Sequence, residues 1–108
     1  MNKSEFNHNT ANIFEACNKL LEGKGDDYSD ADTDRLSNFK IAAKELDVSK
    51  YTVWHVYFNK GLTAIKKYVR SGKVESENIH ERIKDAINYL VLLDAIITED
   101  EKNEIQKI

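Results

Sequence analysis

Not one of the 108 residues is proline, and glycine occurs only at positions 23, 25, 61 and 72. A chain with so few breakers has little with which to punctuate short strands, and its apolar residues recur at steps of three and four, the period of a helix buried on one side. The expectation is an all-α fold of one domain: four main helices forming a compact bundle, interlocked in a homo-oligomer where an apolar face is left over.

The helices can be placed from their punctuation. Ile13, Phe14, Cys17, Leu20 and Leu21 define a first helix over about 10–22, with Asn9 or Thr10 as its cap and Gly23 as its stop. Lys24 to Asp34 carries five aspartates and reads as a loop. Leu36, Phe39, Ala42, Ala43 and Leu46 mark a second helix over about 33–46. Ser49 caps a third, about 50–71, in which Val53, Trp54, Tyr57, Phe58, Ala64, Ile65 and Tyr68 form the apolar stripe and Gly72 follows the end. Gly61 lies on that stripe, where close packing of another backbone would justify it. Ser76 caps a fourth, about 76–97, built on Ile79, Ile83, Ala86, Ile87, Leu90, Val91 and Ile97. Thr98 and Glu101 have capping-box spacing, which predicts a separate short helix over 99–107.

Charge is distributed very unevenly along these elements. Residues 1–34 hold three basic against eight acidic residues, 35–73 nine against two, and 74–108 four against nine, within a net charge of −3. The 27 residues from Val48 to Val74 include no acid at all. A solvated helix face ordinarily mixes signs, so a one-signed stretch points to an anion. Lys60, Lys67 and Arg70 would contact phosphates, with Arg35 and Arg82 as further cations, Asn38 and Asn88 as polar readers, and Tyr28, Trp54 or Tyr89 stacked on a base. Trp54 and Tyr89 also suit a plain core.

Other chemistry leaves weaker traces. Glu81 and Asp85, one turn apart, would hold Mg²⁺ if the protein were a diphosphate hydrolase, but the third helix supplies no opposing acid; otherwise no cofactor and no metal is expected. Asp30, Asp32 and Asp34 resemble a calcium loop, but Arg35 stands where that loop needs glycine and Ile41 where it needs glutamate. Ala43 to Ser49 followed by Val53 has helix-turn-helix spacing, with Lys50 and Tyr51 toward a DNA groove. Asp47 takes the turn position usually held by glycine, the second helix is long, and the acidic thirds would repel DNA. The single Cys17, among apolar neighbours, reads as a buried structural thiol. His8, His55 and His80 are too scattered for zinc. With no apolar leader at Met1–His8 and no run of about 18 apolar residues, the expectation is a cytoplasmic protein without a membrane partner.

Several strings resemble a family of small phage-encoded helical proteins: Lys24-Gly-Asp-Asp-Tyr28, Arg35-Leu-Ser-Asn-Phe39, Phe58-Asn-Lys60, and Glu75 through Arg82-Ile-Lys-Asp85-Ala-Ile-Asn88-Tyr89-Leu90. These look distantly like the MazG-type all-α nucleotide pyrophosphohydrolases. The resemblance implies Mg²⁺ held by paired acids on two helices, a pattern from which the acid-free Val48–Val74 departs. In physical character the chain is similar instead to phage proteins of the Sequestin and Lockin type, which capture cyclic nucleotide immune signals in basic pockets without cutting them. The leading expectation is therefore an anti-defence nucleotide sponge acting in an infected bacterial host. The alternatives are the pyrophosphohydrolase and, after it, a DNA-binding protein.

Overall fold

The computed structural model describes residues 1–28, 34–73 and 78–106, with side chains for all of these except 24–28 and 106. Four helices follow in order: α1 (Lys3–Tyr28), α2 (Ser37–Leu46), α3 (Lys50–Ser71) and α4 (Ile79–Gln106). Among the described residues there is no strand, and the all-α class follows directly. The chain divides into two compact units, Met1–Arg35 and Leu36–Ile108.

The first unit is built on α1. Its cap is Asn2, whose side-chain oxygen accepts the backbone N–H of Glu5 at 2.9 Å, one of the donors a helix start leaves unsatisfied. The helix thus begins well before the expected Asn9 or Thr10, and the Thr10 hydroxyl instead donates back to the Phe6 carbonyl at 3.0 Å. It also runs past Gly23 to Tyr28, so the first part of the expected aspartate loop is helical. A glycine stops a helix only by turning left-handed, and Gly23 does not. Cys17 is buried, as its apolar neighbours suggested.

The second unit is a three-helix assembly in which α3 packs against both α2 and α4. Leu36, Phe39 and Ala43 come together with Val53 and Trp54 of α3 and Ile96 of α4, and the side chains of Phe58, Tyr89, Leu92 and Leu93 close around them. Leu36 is drawn into this core, and α2 starts only at Ser37, later than the expected 33. Asp47 ends α2 in the left-handed region at φ 55°, a conformation that asparagine and aspartate tolerate better than most residues. The next backbone N–H, Val48, reaches back to the Ala43 carbonyl at 2.9 Å. Ser49 then caps α3 by accepting the Tyr51 N–H at 3.0 Å, and Gly72 ends it in the left-handed region at φ 72°.

Asn78 starts α4, its side-chain oxygen accepting the His80 N–H at 2.8 Å. Ser76, the expected cap, lies outside the described residues. The helix then runs unbroken through Thr98 and Glu101 to Gln106, so among the described residues the expected short helix over 99–107 is not a separate element. Gly61 is corrected as well: a Cβ there would meet nothing within 4 Å, so no backbone packs closely against it.

Candidate functional site

Four of the residues expected to bind a ligand, Trp54, Lys60, Lys67 and Arg70, lie on α3, and the two ends of that helix behave differently. At the first turn, Lys50 donates to one oxygen of Asp100 on α4, and the Tyr51 hydroxyl donates to the other at 2.5 Å. The neighbouring Glu99 pairs with Lys40 of α2. Two consecutive acids near the end of α4 therefore tie it to both other helices of the unit. Hydrogen bonds from Lys50 and then Tyr51 hold the Asp100 carboxyl below the usual carboxylate range. The Tyr51 phenol is pushed up to about 12, first by its bond to Asp100, then by burial, then by the charges of Asp100, Glu101 and Glu104.

In the first half of α3 Trp54 and Phe58 serve packing. Trp54 is buried, its indole N–H donates to the Tyr89 carbonyl at 2.6 Å, and its ring stacks on Phe58 with centroids 4.8 Å apart. Tyr57 and Tyr89 lie nearly parallel at 6.4 Å. The contacts from Trp54 to Tyr89 and from Lys50 to Asp100 run in opposite senses along the two chains, which makes α3 and α4 antiparallel neighbours.

Beyond this cluster α3 presents its basic side. Asn59, Lys60, Thr63, Lys66, Lys67 and Arg70 are all exposed, and at 100° per residue they fall within about a third of the helix circumference. The Thr63 hydroxyl is turned back onto the Asn59 carbonyl at 2.8 Å. Among the described residues Lys60, Lys66 and Arg70 have no acidic partner, and Lys67 is engaged by a neighbour. Lys60, Lys67 and Arg70 are thus brought to one surface. Trp54 is not: it lies roughly 160° around the helix from Arg70, on the core side.

The remaining expected residues are spread over both units. Arg35, in the first, donates from its guanidinium to the Leu21 carbonyl at 3.0 Å. The side chain of Tyr28 lies outside those described. Asn38 is exposed in the first turn of α2. On α4, Arg82 is half-buried and Asn88 buried; both are engaged by neighbours, while Arg82 Nε and Asn88 Oδ1 are buried without a hydrogen bond. The pair expected to hold Mg²⁺ is separately occupied, Glu81 accepting from Lys84 at 3.0 Å and Asp85 half-buried and engaged. Among the described residues no group of three or more His, Cys, Asp or Glu side chains converges on a common point. Asp30 and Asp32 lie outside the described residues. No described helix is long and apolar enough to cross a membrane.

Sequence reasoning missed the Asp100 clasp. Its partners are 49 and 50 residues apart, and the only signal in the sequence was that an acidic third follows a basic one. No known protein family, curated protein or solved structure matches the chain.

Proposed function

We propose that this is a homo-oligomeric protein that binds a phosphate-bearing nucleotide on the basic side of α3 and holds it without hydrolysing it. The observation that carries the reading is the contrast within one helix: Lys50 is neutralised by Asp100, whereas Lys60, Lys66 and Arg70 stay exposed with no acid opposite them among the described residues. Cations left without internal partners on a shared face suit charge-assisted hydrogen bonds to phosphate oxygens. Capture rather than cleavage is favoured because Val48–Val74 supplies no acid to oppose Glu81 and Asp85 across a shared metal ion. A cyclic nucleotide immune signal as cargo, and action in the cytoplasm of an infected host, belong to the same proposal.

A second reading has its own support. Ala43 and Val53 are buried on either side of a three-residue turn whose Asp47 is left-handed, and Thr52, His55 and Asn59 are exposed on α3, an arrangement suited to a helix-turn-helix that reads duplex DNA. It ranks second because Lys50 and Tyr51, the expected groove contacts, are both held by Asp100. The acids of α4 around them would repel a phosphate backbone.

One experiment separates these readings. The purified protein is incubated with nucleoside triphosphates, cyclic dinucleotides, cyclic ADP-ribose isomers and Mg²⁺, then denatured, and the released material is chromatographed. The expected result is depletion of one nucleotide from solution and its recovery intact. A new monophosphate or diphosphate would make the protein an enzyme and end the capture reading. No depletion, combined with salt-sensitive duplex binding, would transfer the α3 surface to DNA.

A further inference from the structure

The side of α4 turned away from the core is apolar, and it carries Leu90, Val91 and Ile97, which were expected on the inner side of the helix. Leu90, Val91, Ile97 and Ile105 are 51, 49, 39 and 71% exposed, and Ile83 and Ile87 are half-buried on the same side. Residues 83, 87, 90, 94, 97 and 101 alternate steps of four and three, the spacing of a seam that packs against another helix. Four of these six are isoleucine or leucine; the other two, Asp94 and Glu101, both lie in the C-terminal half. Exposed apolar surface of this extent on a helix marks an interaction face.

We infer that this face pairs with the same face of a second copy, the two α4 helices running antiparallel about a two-fold axis near Leu90 and Val91. Charge selects both the partner and the direction. A parallel pair would set Asp94 on Asp94 and Glu101 on Glu101, burying like charges against each other. The antiparallel pair sets Asp94 beside the partner helix's Ile87 and Lys84, and Glu101 beside its His80, so the acidic half of each helix meets a half in which Lys84 and Arg82 balance Glu81 and Asp85, and not another acidic half. The contact is isologous and closes on itself, giving a dimer and not a fibre. It deepens the homo-oligomer part of the proposed function and does not depend on nucleotide binding, because the seam and the basic side of α3 are different surfaces.

Sedimentation equilibrium of the purified full chain tests the pairing. The wild type is expected at twice the chain mass and Leu90→Glu at the chain mass, with the helical circular dichroism of the two equal. Direction is read by oxidative cross-linking: Leu90→Cys, near the axis, should form a disulfide-linked dimer, and Ile97→Cys, far from it, should not. The wild-type chain, with Cys17 buried, is the control and should remain uncross-linked. A monomeric wild type would overturn the pairing and give the face to a different protein, and a cross-link through Ile97→Cys would overturn the antiparallel direction. Nucleotide binding is measured on the same Leu90→Glu sample, so loss of the dimer with binding retained, or the reverse, tells failure of one proposal from failure of the other.

Discussion

At its first turn α3 gives Lys50 to the carboxylate of Asp100, while from about three to about five and a half turns further on Lys60, Lys66 and Arg70 have no acid opposite them among the described residues. The same residue type therefore does two jobs on one helix. In the first, the acidic end of α4 folds back antiparallel onto the start of α3, and part of the charge segregation in the sequence is an internal ion-pair scheme. In the second, the segregation is not answered inside the described fold. A one-signed stretch of sequence is thus a composite signal, and only its unanswered part supports an external anion.

The largest effect should come from the packing that both ends share. Trp54→Ala removes a buried indole, its stack on Phe58 and its hydrogen bond to Tyr89, and should destabilise the second unit by about 3–5 kcal/mol. Urea denaturation measures this. A loss under 1 kcal/mol would mean that the Trp54 ring is not part of the core, and would reopen it as a base-stacking residue.

Next comes a double dissociation. Lys60→Ala or Arg70→Ala should weaken nucleotide binding by about 1.5–3 kcal/mol, the scale of a hydrogen bond to a charged group, and leave the melting temperature nearly unchanged. Lys50→Ala should do the opposite, lowering the melting temperature and leaving affinity as it was. If Lys50→Ala weakened binding as much as Arg70→Ala, the two ends of α3 would not be distinct, and the comparison would fail.

The pH dependence of stability isolates the clasped end. Asp100 titrates lower in the folded protein than its ordinary 3.8, so its contribution is present above that value and is lost as pH falls through the folded value. Tyr51 titrates higher, about 12 against 10.0, so its contribution is complete below pH 10 and is lost as pH rises toward 12. Thermal melts across pH should therefore show an acid limb that Asp100→Asn flattens and an alkaline limb that Tyr51→Phe flattens. Identical alkaline limbs for wild type and Tyr51→Phe would mean that the phenol does not donate to Asp100.

How much of this was legible from residue order depends on the range of the forces involved. The bounds of α3 could be read because Ser49 and Gly72 act within a turn of where they sit. The continuation of α4 through Thr98 could not, since a capping-box spacing at Thr98 and Glu101 is a local signal. It is overridden where no glycine or proline interrupts the chain and where Glu99 and Asp100 are anchored to Lys40 and Lys50 on other helices. Grouping of Lys60, Lys67 and Arg70 followed from helix geometry alone. The engagement of Lys50, and the turning of Trp54 and Tyr89 toward each other, are contacts over 35 to 50 residues that periodicity does not encode.

The smallest expected effect lies between the two ends of α3, at Gly61. Close packing would justify a glycine on the apolar stripe, yet the space where its Cβ would stand is open and its backbone is not left-handed. A glycine without either requirement only weakens the helix, because it loses more backbone freedom on folding than alanine does. Gly61→Ala should therefore stabilise the protein by up to about 1 kcal/mol, or several degrees in melting temperature for a unit of this size. Because Gly61 lies within the basic stretch, with Lys60 before it and Lys66 and Arg70 after it, the stiffer helix also tests whether binding needs that joint to bend. Unchanged affinity with raised stability would make the two halves one rigid rod, whereas raised stability with weakened binding would make Gly61 a hinge that lets the cations close on their ligand.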